Sequence, residues 1–74
     1  MTAIKVTVSM EEWQYAFITG IAEVRGETFS SALRYLLKLS FAYLQRLIEE
    51  GAFEPEQEEK LRRLIELIRE KKNK

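Results

Sequence analysis

Ile4, Val6 and Val8 alternate with Lys5, Thr7 and Ser9, a period of two with β-branched residues on both faces that marks a β-strand. No other stretch of the 74 residues repeats that pattern. A strand over residues 3 to 9 would therefore find no partner in its own chain for its backbone N–H and C=O groups. A two-fold related copy would supply one, running antiparallel, with Ile4, Val6 and Val8 facing inward and Ala3, Lys5 and Thr7 facing out. The expectation is an intertwined homodimer.

Chain length points the same way. A domain this small buries only about 60% of the surface its unfolded chain exposes, and small folds compensate with disulfides, a structural metal or oligomerisation. The sequence contains no Cys, His or Asp. Disulfides and the usual metal-ligand sets are thereby removed, and association with a second copy remains. The same absences argue against an enzyme, because a general base near neutral pH would have to be a strongly shifted Glu or Lys. No Gly-rich phosphate loop or metal-ligand cluster is present in the sequence. We therefore expect no catalytic residue, no cofactor, no metal and no small-molecule substrate.

The rest of the chain reads as three helices. Ser9 to Glu12 spells S-x-x-E, the pattern of a capping box, and Val8 and Trp13 stand at staple positions around it. Met10, Trp13, Phe17, Ile21 and Val24 then recur at helical spacing, which predicts a first helix over 10–25 ended by Gly26. Gly20 lies inside it, and a close helix crossing there would explain its presence. Thr28 is a good N-cap for a second helix running to Glu50 and stopped by Gly51. Ala32, Leu33, Leu36, Leu37, Leu44, Leu47 and Ile48 form its apolar stripe, while Phe29, Leu39, Phe41 and Tyr43 spread apolar surface further round the cylinder. So wide an arc demands cover on several sides, and a second subunit would provide it. The expected dimer core is Ile4, Val6, Val8, Trp13, Phe17, Leu33, Leu36, Leu37 and Leu44. Pro55 suits the first position of a third helix running to about residue 71. Glutamates crowd its start and lysines its end, the order the helix dipole favours.

Twelve basic residues balance twelve acidic ones, so any nucleic-acid binding must come from local patches rather than an overall positive field. No apolar run approaches the roughly 18 residues of a membrane span, and the first residues lack the regions of a signal peptide. A soluble, cytoplasmic protein is expected. All twelve acids are Glu, with Lys, Arg, Ile and Leu abundant, a bias that suits a thermophilic origin.

The order strand, helix, Gly26-Glu27-Thr28 loop and longer helix resembles the ribbon-helix-helix family, the superfamily of the Arc and methionine repressors. The resemblance covers residues 3 to 50 and rests on Ile4-Lys5-Val6-Thr7-Val8, Ser9-Met10-Glu11-Glu12 and Gly26-Glu27-Thr28. It implies a mainly α fold with a two-stranded antiparallel intermolecular ribbon. Residues 1–51 would be the dimerisation and DNA-binding unit, and 52–74 an added third helix packed on the same domain. It implies, too, a transcriptional regulator that places its ribbon in the major groove of double-stranded DNA. Ala3, Lys5 and Thr7 would then face base edges, and Thr28, Phe29, Ser30 and Ser31 would hold a backbone phosphate. Family ribbons are often richer in Arg, Lys, Asn or Gln, and Ala3 offers no hydrogen-bonding side chain, so reading would be sparse. A ribbon-helix-helix variant with an added C-terminal helix occurs in spindle-shaped viruses of hot-spring archaea, and length, third helix and composition resemble it. The alternative is an antitoxin-like protein-interaction module whose C-terminal helix binds a partner protein.

Overall fold

A computed structural model describes residues 4–72. Three helices follow one another: α1 (Glu12–Arg25), α2 (Phe29–Glu49) and α3 (Pro55–Lys72). No strand occurs among the described residues, and residues 4–10 carry no regular secondary structure. This overturns the expected fold class: the chain is three helices behind an unpaired N-terminal segment, without a two-stranded ribbon. The physical reason lies in how a strand is held. Its ladder consists of hydrogen bonds to a second strand, and nothing else in this chain has the pattern to supply them.

Helix α1 begins two residues later than the spacing predicts. Its N-cap is Glu11, in an extended conformation, and Gln14 Oε1 accepts the Glu11 backbone N–H at 2.9 Å. The reciprocal pattern read at Ser9 and Glu12 is thus taken over by Glu11 and Gln14. Trp13 Nε1 also donates to Glu11 Oε2 at 2.8 Å, fixing the indole beside the cap.

Helices α1 and α2 end alike. Gly26 (φ 64°) and Gly51 (φ 74°) occupy the left-handed region, where L side chains are disfavoured. After α1, Glu27 N–H donates to Ala22 O at 2.9 Å and Gly26 N–H to Glu23 O at 3.2 Å; after α2, Ala52 N–H donates to Leu47 O at 3.0 Å and Gly51 N–H to Ile48 O at 3.1 Å. Both are Schellman closures, which satisfy carbonyls that the helix itself cannot reach. Thr28 Oγ1 opens α2 by accepting Ser31 N–H at 3.1 Å, so the expected N-cap is formed. Pro55 is the first residue of α3, whose first turn carries Glu56 and Glu58 and whose last turn carries Arg69, Lys71 and Lys72.

The chain divides into two compact units, with the boundary inside α2 between Leu37 and Lys38. In the first, α1 meets the opening turns of α2 through buried Ile18, Ala22 and Ala32, with Met10, Ile21, Phe29, Leu33 and Leu36 packed around them. Ala32 is fully buried at 0% exposure, so the helices approach over a small residue. Tyr15 stacks on Phe29 with ring centroids 5.3 Å apart. Gly20 does not mark a close crossing within this unit: a Cβ placed there would meet nothing within 4 Å.

In the second unit, Ile48 and Ile65 are buried beside a small groove of about 140 Å³. Burying each isoleucine stabilises the fold by about 1.5–3 kcal/mol. Arg69 Nη2 donates to Gln45 Oε1 at 3.0 Å, tying α3 to the latter part of α2. Along α3, Glu56–Lys60, Glu58–Arg62 and Glu59–Arg63 pair at 3.7, 3.6 and 2.7 Å. Each places Glu four residues before the cation, the more favourable order. No helix among the described residues is long and apolar enough to cross a membrane.

Candidate nucleic-acid interface

The expected interface has two halves, both in the first unit. The N-terminal half is the alternating segment. Ala3 lies outside the described residues; Lys5 and Thr7 are exposed. Their apolar neighbours are more exposed than their chemistry favours: Ile4 at 84%, Val6 at 73% and Val8 at 63%. Among the described residues, residues 4–10 make no backbone hydrogen bond to another part of the chain. The segment therefore presents a cation and a hydroxyl alongside apolar surface and free backbone groups, all open to solvent.

The second half is the start of α2. Thr28 caps Ser31 N–H, and Thr28 O accepts Ala32 N–H at 3.0 Å. The N–H groups of Phe29 and Ser30 belong to the first turn, which has no intrahelical acceptor. Among the described residues no other acceptor reaches them. Ser30 is exposed, and Ser31 is half-buried. The Phe29 side chain turns into the core against Tyr15, which anchors the turn. Two N–H groups without an acceptor, the positive end of the helix dipole and nearby hydroxyls are the kind of donors that helix N-termini offer to anions. No Lys or Arg stands at positions 28 to 31.

Arg25 braces the turn that leads into α2. Its guanidinium pairs with the Glu27 carboxylate and lies 3.6 Å from the centroid of the Tyr35 ring. The hydrogen bond to Glu27 holds the guanidinium above its ordinary pKa. The pair straddles left-handed Gly26, so it pins the α1–α2 turn that places Thr28. The signal was present in the spacing Arg25-Gly26-Glu27, two opposite charges brought together by the turn.

The expected dimer-core residues fall into two groups. Trp13 (63%), Phe17 (53%) and Leu37 (59%) are exposed, as are Ile4, Val6 and Val8. Leu33, Leu36 and Leu44 are half-buried. The broad apolar stripe of α2 is only partly covered: Ala32 and Ile48 are buried, while Leu39 and Tyr43 face solvent with Leu37. No group of acidic residues among those described could hold a metal ion. Comparison with protein-family models, curated proteins and solved structures returned no match.

Proposed function

We propose that this chain is a homodimeric, double-stranded-DNA-binding transcriptional regulator of modest sequence specificity. The observation that carries the reading is the N-terminal segment: Lys5 and Thr7 are exposed between Ile4, Val6 and Val8, with no backbone partner for the segment among the described residues. Three apolar side chains exposed within five residues favour cover by a second surface. A second copy supplies that surface for Ile4, Val6, Val8, Trp13 and Phe17, leaving Lys5 and Thr7 outward.

Lys5 then donates to guanine O6 or N7 in the major groove, and Thr7 contacts a base edge through its hydroxyl or its methyl. The start of α2 receives a phosphate through the N–H groups of Phe29 and Ser30 and the hydroxyls of Thr28, Ser30 and Ser31. Such contacts fix position, whereas the base contacts give what specificity there is. The family resemblance contributes the partner, duplex DNA, and we take the cytoplasm as the site of action. The two-stranded ribbon forms no part of the proposal.

A salt-dependent mobility-shift series on random duplex DNA tests the reading, comparing the parent chain with Lys5→Ala and Thr7→Ala. Lys5→Ala is expected to weaken binding several-fold. It should also lower the slope of log affinity against log salt by up to about 0.9 if Lys5 neutralises a phosphate as well as reading a base. Thr7→Ala should weaken binding with little change in slope. Unchanged binding in both variants contradicts the proposal.

A further inference from the structure

The second unit gathers positive charge where the sequence shows only balance. An open groove of about 760 Å³ is lined by Lys38, Arg46, Arg69 and Lys72, with Phe41 in its wall and Glu49 as its one carboxylate. Among the described residues, Lys38 and Lys72 have no ion-pair partner, and Arg46 pairs with Glu50 at 3.1 Å in an exposed, weakly held contact. Arg69 is hydrogen-bonded to the neutral Gln45. Four cations against Glu49 and the Glu50 that pairs with Arg46 leave a local excess of two positive charges in a chain of zero net charge.

We infer that this groove binds the phosphate backbone of duplex DNA, as a contact separate from Lys5, Thr7 and the start of α2. Its length decides against a single small anion: Lys38 and Arg46 lie eight residues apart, roughly 12 Å along the helix axis, while Arg69 and Lys72 line the groove from α3. Such a row matches successive phosphates. Its aromatic residue decides against stacked bases. Lys72 Nζ lies 5.9 Å from the Phe41 ring centroid, within cation–π range, so that face of the ring is occupied by a cation rather than open for the base stacking that single strands use. Contacts of this kind add affinity without reading sequence.

The inference rests on duplex DNA being the partner, and the experiment separates the two. Binding of a labelled random-sequence duplex is followed by anisotropy between about 50 and 200 mM salt for the full chain, Lys5→Ala, the double variant Lys38→Gln/Lys72→Gln and its charge-keeping counterpart Lys38→Arg/Lys72→Arg. Both lysines are exposed, so circular dichroism melts should coincide. The glutamine pair is expected to weaken binding several-fold on every duplex and lower the salt slope by up to about 1.8, two contacts' worth, with the arginine pair restoring both. If the full chain binds and Lys5→Ala weakens it while the glutamine pair changes neither affinity nor slope, the groove proposal is overturned and the function reading stands. No duplex binding by the full chain overturns both. Poly-glutamate that binds as tightly as DNA, and loses affinity equally in the glutamine pair, overturns phosphate as the occupant and assigns the groove to an acidic protein.

Discussion

The two units handle water in opposite ways. Among the described residues, the first leaves eight large apolar side chains exposed, from Ile4 to Leu37, and the second leaves four, Leu39, Tyr43, Leu64 and Leu67. Ion pairs run the other way: Arg25–Glu27 is in the first unit, while Arg46–Glu50 and the three pairs of α3 are in the second. The second unit is dressed for solvent, with charge laid along its outer faces. The first leaves apolar surface in water around a small buried core of Ile18, Ala22 and Ala32. Exposed ion pairs contribute little stability each, about 0–1 kcal/mol, so the contrast concerns which surface must be covered rather than which unit is the more stable.

The sharpest blow to this comparison would fall on the second unit's own core. Ile65→Ala removes a buried side chain and should cost about 2–5 kcal/mol, read by urea unfolding; a cost under 1 kcal/mol would mean that α3 does not depend on its own burial. In the first unit, Val6→Ser separates the lone chain from the dimer. At 73% exposure the lone chain should hardly register it, whereas cover by a second copy makes it cost about 1.5–3 kcal/mol per chain and makes the unfolding midpoint concentration-dependent. Ala32→Leu probes the close approach of α1 and α2. Forcing added carbons into a site with no exposure should destabilise by about 1–3 kcal/mol, and a neutral result would show slack in that contact. Smallest is Gly20→Ala: a Cβ meets nothing there, so removing glycine's freedom in mid-helix should add about 0.5–1 kcal/mol. A loss instead would place a second copy against that face of α1.

Local signals in the sequence were legible because local geometry obeys them. Gly26 and Gly51 take left-handed conformations and close two helices, Thr28 caps α2, and Pro55 starts α3. The beginning of α1 is ambiguous in the sequence because two reciprocal patterns overlap, Ser9-x-x-Glu12 and Glu11-x-x-Gln14, and the second one forms its hydrogen bond. The strand differs for another reason: alternation states which side chains prefer opposite faces, but hydrogen bonds to another strand make the ladder, and the described residues offer no second strand. The apolar stripe of α2 likewise marks residues that favour burial, not the surface available to bury them, which leaves Leu37 and Leu39 in water. Of the candidate site, the free N–H groups of Phe29 and Ser30 follow from the cap at Thr28. The cationic groove does not, because folding alone brings Arg69 to Gln45, 24 residues away in sequence.

The central claim is that a second copy covers the first unit's exposed apolar surface. Sedimentation equilibrium over a wide dilution series measures this directly. The account predicts a species of twice the 8.7 kDa chain mass that Val6→Ser shifts toward the single chain. A mass of 8.7 kDa at every concentration would contradict it.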